Sequence, residues 1–306
     1  MEVRRHIFSR LKLDRAEQED KHMRLATTLA AYTSRGSGHD PWKSIEAVRV
    51  CRQLGFDSVD VYFNKVIDYL SPQEQDEWVK QMNQVLKETG IPVCQCHSYF
   101  GRTDHFTPED LEVYKNKVAR SVELAGRMNI PWAVVHAIPY AKNWGATKEE
   151  SRQKNVEFFK WLQKKAAPAG VGIAFENIHG NEYATAEALI ALCKEAAPYG
   201  KVGVCWDTGH ANLSPDMDQV ASIMQLGKML KCTHIHDNHG KTDEHILPMM
   251  GAIEWQPIIK ALKESGYEGD FVYESGQPFK HLPEDNVLRM ELMKYSVSLG
   301  RYLLNL

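Results

Sequence analysis

Val171-Gly-Ile-Ala-Phe-Glu176 is a short apolar run that stops on a carboxylate, and the same design returns three more times in the C-terminal half. Val202-Gly-Val-Cys-Trp-Asp207, Met229-Leu-Lys-Cys-Thr-His234 and Phe271-Val-Tyr-Glu274 each end on a side chain able to hold a metal. Runs this short and apolar read as buried strands. When strands lie parallel in one barrel, their C-terminal ends meet at one face. Glu176, Asp207, His234 and Glu274 are therefore expected to converge, although nearly a hundred residues separate the first from the last.

Outward from these runs, short apolar segments alternate with longer amphipathic ones along the whole chain after residue 22. Strands are expected near 24–30, 57–63, 91–97, 131–137, 171–176, 202–207, 230–236 and 270–275. Helices are expected near 42–54, 72–89, 108–128, 148–167, 184–197, 217–229, 254–265 and 284–302. Ser71-Pro72 and Thr107-Pro108 place a capping hydroxyl before a proline at the first helical position. Thr147-Lys-Glu-Glu150 has capping-box spacing, and Gly55, Gly90, Gly170, Gly200 and Gly266 punctuate helix ends. Eight such units, with no two strands close enough for a hairpin, predict an α/β fold: a single (β/α)8 TIM barrel over 23–306.

The alternative, a doubly wound open sheet, normally carries a glycine-rich phosphate turn after its first strand. Tyr32-Thr-Ser-Arg-Gly-Ser-Gly38 does not continue in that pattern. Residues 1–22 are a charged N-terminal extension in which Ile7, Phe8, Leu11 and Leu13 cluster. A helix docked beneath the barrel, an arm on a second subunit and a frayed tail all suit that pattern.

The chain has 306 residues, 43% of them hydrophobic, enough for one large core. No apolar stretch approaches the ~20 residues of a membrane-spanning helix, and Met1–Arg10 lacks the apolar core of a secretory signal. A net charge of −3 disfavours general nucleic-acid binding without excluding a local basic groove. Six cysteines (51, 94, 96, 193, 205 and 232) form no CxxC pair, and Cys94 and Cys96 share one face of a strand as core filler. A reduced, cytoplasmic protein is expected.

Side chains at the C-terminal ends of barrel strands read as catalytic. His97 and His136 join Glu176, Asp207, His234 and Glu274 there, with His210, Asp243 and His245 on the following loops. So many ionisable groups on adjacent strands are costly to bury without a cation. Three carboxylates and an imidazole make an oxygen-rich set suited to one divalent ion, Mn²⁺ first, then Co²⁺, Mg²⁺ or Zn²⁺. His236 shares the face of His234 and ranks second as a ligand, closer to a substrate contact.

Trp206-Asp-Thr-Gly-His210, His234-Ile-His-Asp-Asn238, Asp243-Glu-His-Ile-Leu-Pro248 and Gly251-Ala-Ile-Glu-Trp255 resemble the sugar isomerase/epimerase group of xylose-isomerase-like barrels. The matched motifs cover about 130–275, the eightfold alternation extends the likeness from about 23 to 302, and together they are specific for the superfamily, not for a substrate. Met249-Met250 departs from the glycine that many relatives place before the G-x-I-[DE]-W turn. The resemblance implies a ligand Asp207 with a nearby His210, and it selects His234 over His236 because the ligand His stands three residues before an acid. It implies proton transfer next to a carbonyl through an enediolate that the ion stabilises, with Glu176 and Glu274 as base and acid. His210 and His136 complete the expected catalytic set. His97, Trp206, His236, Asp243 and His245 are expected to meet substrate, and Tyr99, Phe100, Trp144 and Phe279 to wall the pocket with Trp206.

Two other activities belong to the same resemblance. One is a lyase on 3-keto-sugars or C-glycosides, with a partner subunit as a possibility. The other is a trinuclear zinc phosphodiesterase of the endonuclease IV type, whose nine-residue set His97, His136, Glu176, Asp207, His210, His234, Asp243, His245 and Glu274 fills completely. The loops carry only scattered cations (Arg35, Arg102, Lys142, Lys241 and Lys280), which suits a free or oxidised sugar better than a sugar phosphate or a nucleic acid. A sugar or keto-sugar is the expected small-molecule partner, and barrels of this superfamily commonly form homo-oligomers.

Overall fold

The computed structural model describes residues 23–33, 40–101, 106–214, 216–280, 282 and 286–306; the expected extension 1–22, Arg35 and Arg102 lie outside them. Eight strands run in one sheet: β1 (Leu25–Thr28), β2 (Ser58–Tyr62), β3 (Val93–His97), β4 (Trp132–His136), β5 (Gly172–Glu176), β6 (Val202–Asp207), β7 (Leu230–His234) and β8 (Phe271–Tyr273). The barrel helices follow them in turn: α1 (Lys43–Leu54), α2 (Pro72–Thr89), α3 (Pro108–Arg127), α4 (Lys148–Ala166), α5 (Ala186–Ala196), α6 (Gln219–Leu226), α7 (Trp255–Glu264) and α8 (Asn286–Leu304).

Strand pairing is parallel throughout, in the order β7-β6-β5-β4-β3-β2-β1-β8. The ring closes between β7 and β8 through a parallel bridge at Ile235 and Tyr273, where Ile235 N donates to Val272 O (2.8 Å) and Glu274 N to Ile235 O (2.9 Å). Closure thus falls beside His234, at the mouth of the barrel. The fold is the predicted (β/α)8 barrel.

Local chemistry explains the helix starts. Ser71, Thr107 and Thr147 each accept from the backbone N–H three residues on, and Glu74, Asp110 and Glu150 accept in return from the cap. Each such cap stabilises its helix by about 1 kcal/mol. Gly55, Gly90, Gly170 and Gly266 take left-handed conformations at helix ends, as their spacing predicts. Gly200 is extended instead (φ 160°) and sits against Gln163, so a close approach explains it and a helix cap does not. The first expected strand is also shortened, because residues 29–33 are helical.

Period-two alternation sorts the strand residues between two cores. Val134, Ala174, Cys205 and Cys232 point into the barrel, small enough to fill its waist. Val135, Phe175 and Trp206 point outward into the larger core between sheet and helices. At the N-terminal mouth, Asp270 accepts from Arg24 (3.0 Å) and Ser58, and Asp57 accepts from Arg301 (2.6 and 2.7 Å) and Leu25 N (2.8 Å). All six cysteines are free, and no described helix is long and apolar enough to cross a membrane.

Candidate metal centre

Glu176, Asp207 and His234 are the last residues of β5, β6 and β7, and Glu274 follows β8. Asp207 is the register partner of His234, so both side chains leave the same inner face. His234 Nδ1 lies 2.8 Å from Glu176 Oε1, 3.3 Å from Glu274 Oε2 and 4.0 Å from Asp207 Oδ2. The four residues offer donor atoms within 4.8 Å of one another. Above them opens a cavity of about 420 Å³, lined also by Tyr62, Phe100, Ile178, Gln277 and Lys280.

A test of whether these residues fit a cation comes from what they leave unpaired. Glu176 Oε2, Glu274 Oε2, His234 Nε2, His236 Nδ1 and both oxygens of Asp60 are buried without a hydrogen-bond partner. His136 Nε2 and His97 Nε2 approach Glu176 Oε2 at 3.0 and 3.3 Å, but off the hydrogen-bond direction. Buried polar groups are normally satisfied, and such a concentration of orphans around clustered carboxylates is what a missing positive charge leaves behind. The donor set fits a hard or borderline divalent ion.

Among the protein groups alone, histidines carry the balancing charge. Burial opposes protonation of His210, and the carboxylates of Asp207, Asp243 and Glu176 outweigh it, bringing its pKa up to about 10. His245 is raised to about 9 against the same burial penalty by Asp243, Glu274 and Asp207. Burial would raise Glu176, yet His234, His136 and His97 hold it well below the usual carboxylate range. Asp207 and Asp243 are likewise lowered, the first by His210 and His236, the second by His210 and His245, each against burial. At Asp60 burial wins, and the carboxyl is pushed up to about 7.

Hydrogen bonds to carbonyls fix how several rings face the site. His97 Nδ1 meets Ser98 O at 2.9 Å, His210 Nδ1 meets Asn177 O at 2.9 Å, and His245 Nδ1 meets Glu274 O at 3.0 Å. A carbonyl only accepts, so each Nδ1 donates and each neutral ring keeps its lone pair on Nε2. Those Nε2 atoms face Glu176 Oε2 from His97 and Asp243 from His210 and His245 (3.5 and 2.9 Å). His210, Asp243 and His245 form a donor group of their own beside the first. His236 Nε2 contacts Asp207 at 3.0 Å while its ring stacks on His245 (3.9 Å between centroids).

The sequence motifs acquire physical reasons. Gly209 is required because a Cβ there would lie 1.9 Å from the His236 ring. Thr208 ties the two motifs together, its hydroxyl on His236 O (2.8 Å) and within reach of His236 N (3.2 Å). Asp237 is a structural clamp: it accepts from Met249 N, Ile253 N and Trp255 Nε1 (3.0, 3.2 and 2.9 Å) and so shapes the loop bearing Asp243 and His245. Gly251 packs against that carboxylate, with 2.2 Å from its Cβ position to Asp237 Oδ1.

The expected aromatic wall is largely corrected. Trp206 is fully buried on the outer side of β6, because the strand alternation that turns Asp207 inward turns its neighbour toward the helices. It does not line the cavity. Tyr99 packs on Tyr114 under Lys117, Trp144 on Tyr140, and Phe279 in the outer core. Phe100 does line the cavity. Sequence reading missed Asp60 and Tyr62 on β2. Tyr62 donates its phenolic hydrogen to Glu274 Oε1. Alternation along Ser58-Val-Asp-Val-Tyr62 puts both on the inward face with Ser58, which is the signal that was there to find.

Fold and site together define a (β/α)8 barrel with an ionisable cluster at its C-terminal face. The chain belongs to the xylose isomerase-like TIM barrel family, whose profile matches residues 48–291. It is 38% identical over 170 residues to an uncharacterised protein of Sinorhizobium fredii, covering 54% of this chain and 52% of that one. It is 26% identical over 146 residues to an inosose dehydratase of Geobacillus thermodenitrificans (42% and 48% covered). A probable endonuclease 4 of Persephonella marina is 24% identical over 162 residues (52% and 56%). The chain thus spans about half the length of the curated relatives it matches. Among solved structures, a 3-keto-D-glucoside 4-epimerase from E. coli superposes with a TM-score of 0.70 at 18% identity, covering 92% of this chain and 99% of that one. A D-psicose 3-epimerase crystallised in the presence of D-fructose gives the same four values. These two likenesses show the fold.

Proposed function

We propose that this protein is a divalent-metal-dependent isomerase or epimerase of a sugar or keto-sugar, acting by proton transfer at a carbon next to a carbonyl. The observation that carries this reading is the placement of two carboxylates, Glu176 and Glu274, 2.8 and 3.3 Å from His234 Nδ1 and both lining a sugar-sized cavity. Glu176, Asp207, His234 and Glu274 would hold the ion, with Mn²⁺ the first candidate. When bound, it supplies Lewis-acid polarisation of a substrate carbonyl.

The chain's own groups do the rest. Three imidazoles keep Glu176 ionised at neutral pH, so it is available to accept a proton from one face of the substrate. Glu274, approaching from β8 and held by the Tyr62 hydroxyl, would carry the proton delivered to the other face. His210, whose ring is oriented by its Nδ1–H on Asn177 O, and His136 at the rim both line the cavity and are placed to meet substrate oxygens. Phe100 and Ile178 cover the cavity with apolar surface and limit the access of water. The 3-keto-D-glucoside named for the E. coli structure and the inosose named for the dehydratase both carry a ketone on a polyhydroxylated ring, which supports an oxidised substrate of that kind. Elimination, the lyase outcome, begins with the same proton removal and differs only in the fate of the carbanion.

The test is deuterium wash-in. Ketoses and 3-keto-glycosides are incubated in D₂O with the Mn²⁺-loaded protein and read by NMR at the carbon next to the carbonyl. Exchange with recovery of an epimer supports the proposal, and loss of a β-substituent moves the assignment to a lyase. No exchange with any member of the panel counts against both.

One observation favours a second reading, a trinuclear zinc phosphodiesterase. His210, Asp243 and His245 form a second donor group, and His97 with His136 flanks Glu176 to frame a third. Metal content separates the two: about one ion per chain for the enediolate chemistry, about three zinc ions and cleavage of abasic DNA for the rival.

A further inference from the structure

Strand β2 contributes none of the four proposed ligands, yet its inward side chains reach two of them. Asp60 is wholly buried below the centre, and neither of its oxygens has a hydrogen-bond partner. Gln95, its register partner, donates its amide to Thr233 O (3.2 Å) and lies beside Asp60. Facing Asp60 Oδ2 at 3.8 Å is His234 Nε2, which is also unpartnered. Two residues on, Tyr62 bonds Glu274 Oε1 and leaves Oε2 3.3 Å from His234 Nδ1.

We propose that β2 is the orienting strand of the metal centre, with Asp60 setting the ring of His234 and Tyr62 setting the carboxylate of Glu274. The inference rests on the metal-dependent reading above. A neutral imidazole carries one hydrogen, so a ring that gives its Nδ1 lone pair to an ion must carry that hydrogen on Nε2. In this interior the Nε2–H faces Asp60, and a shift of about an ångström brings it to hydrogen-bond length. Two orphans that would each be costly to bury satisfy one another. The carboxylate behind the ring also makes Nδ1 a stronger donor, which is how partners behind ligating histidines act in general. Tyr62 works in parallel: with Oε1 held, Oε2 is the oxygen that Glu274 presents. Both are positioning residues, because each acts through a ligand.

The arrangement separates metal affinity from fold stability, and that makes it testable. Mn²⁺ affinity is measured by calorimetry on EDTA-stripped protein, alongside the melting temperature of the same stripped sample. Asp60→Asn is expected to weaken Mn²⁺ binding about ten- to a hundredfold. Its stripped form should melt at or above the parent temperature, because an unpartnered buried carboxylate has been removed. Tyr62→Phe is expected to weaken binding in the same direction while keeping the ring against Phe100, 5.9 Å between centroids. It carries the test on its own should Asp60→Asn not fold. A purely structural role predicts the reverse, a lower melting temperature with unchanged Mn²⁺ affinity, and that result would overturn the proposal. A parent that binds Mn²⁺ no better than either variant sinks the β2 role alone. A parent that takes up none of Mn²⁺, Co²⁺, Mg²⁺ or Zn²⁺ sinks the metal reading beneath it.

Discussion

The two mouths of the barrel treat charge in opposite ways. At the N-terminal mouth, each carboxylate meets its partners: Asp270 holds Arg24 and Ser58, and Asp57 holds Arg301 and a backbone N–H. At the C-terminal mouth, carboxylates and imidazoles crowd together and leave several buried atoms unpaired. One end pairs its charges within the chain. The other leaves buried polar atoms without partners, and that contrast locates the candidate site more firmly than any single residue does.

The most damaging way to probe the contrast is to neutralise the upper carboxylates one at a time. Glu176→Gln and Glu274→Gln keep side-chain volume and remove the proton carrier, so turnover should fall by about 10²–10⁴-fold. Far-ultraviolet circular dichroism should still report a folded barrel. Near-parental turnover in both variants would break the two-base mechanism. Next in size is the choice between the two histidines of β7 and its continuation. His234→Ala removes the donor lying between Glu176 and Glu274 and should lose the ion on dialysis. His236→Ala touches Asp207 alone among the four and should retain it. Metal content by mass spectrometry reads both, and the opposite result would show that the centre is built one step further along the strand.

The lower mouth predicts a different kind of loss. Asp270 is buried and accepts from Arg24 and Ser58. Asp270→Asn should cost about 1.5–3 kcal/mol of stability, the worth of hydrogen bonds to a charged group. Turnover per folded molecule should stay near the parent value, because nothing at that end reaches the cavity. A chemical-denaturation series with matched kinetics checks it.

How much of this was legible in the sequence depends on which force wrote each feature. Strand ends such as Glu176, Asp207 and His234 were readable because burial forces apolar runs to stop abruptly at the mouth, where polar side chains begin. Helix starts were readable because caps are local hydrogen bonds within four residues. Trp206 was misplaced because its position inside a motif says nothing of which face it takes, whereas the one-residue offset from Asp207 decides it. Asp60 was missed for a related reason. It sits in mid-strand in Val59-Asp60-Val61, and its meaning lies in His234, which comes to it through barrel closure. Asp237 looked like part of a ligand motif and is a loop clamp, a distinction that only the Trp255 and Met249 contacts make.

The smallest expected effect is a pH profile, and it isolates the upper mouth. His210 and His245 are raised from an ordinary 6.5 to about 10 and about 9. A group raised on folding lends stability that is full below its unfolded value and lost as pH climbs through the folded one. Glu176, Asp207 and Asp243 are lowered on folding, so their contribution is present above the ordinary carboxylate range and lost in acid. Stripped protein should therefore melt highest between about pH 5 and about pH 6.5, losing stability in acid and again as pH climbs from about 6.5 to about 10. At the lower mouth, Arg301 is raised and Asp57 lowered by their pairing, so neither titrates within that alkaline limb and the slope belongs to the histidines. A bound divalent ion takes over the positive charge that those protons carried, and its uptake releases protons. With saturating Mn²⁺ the alkaline fall should become shallower than in the stripped sample. An alkaline limb indifferent to Mn²⁺ would mean that the histidine charge and the ion do not share a site, and the contrast between the two mouths would then need another cause.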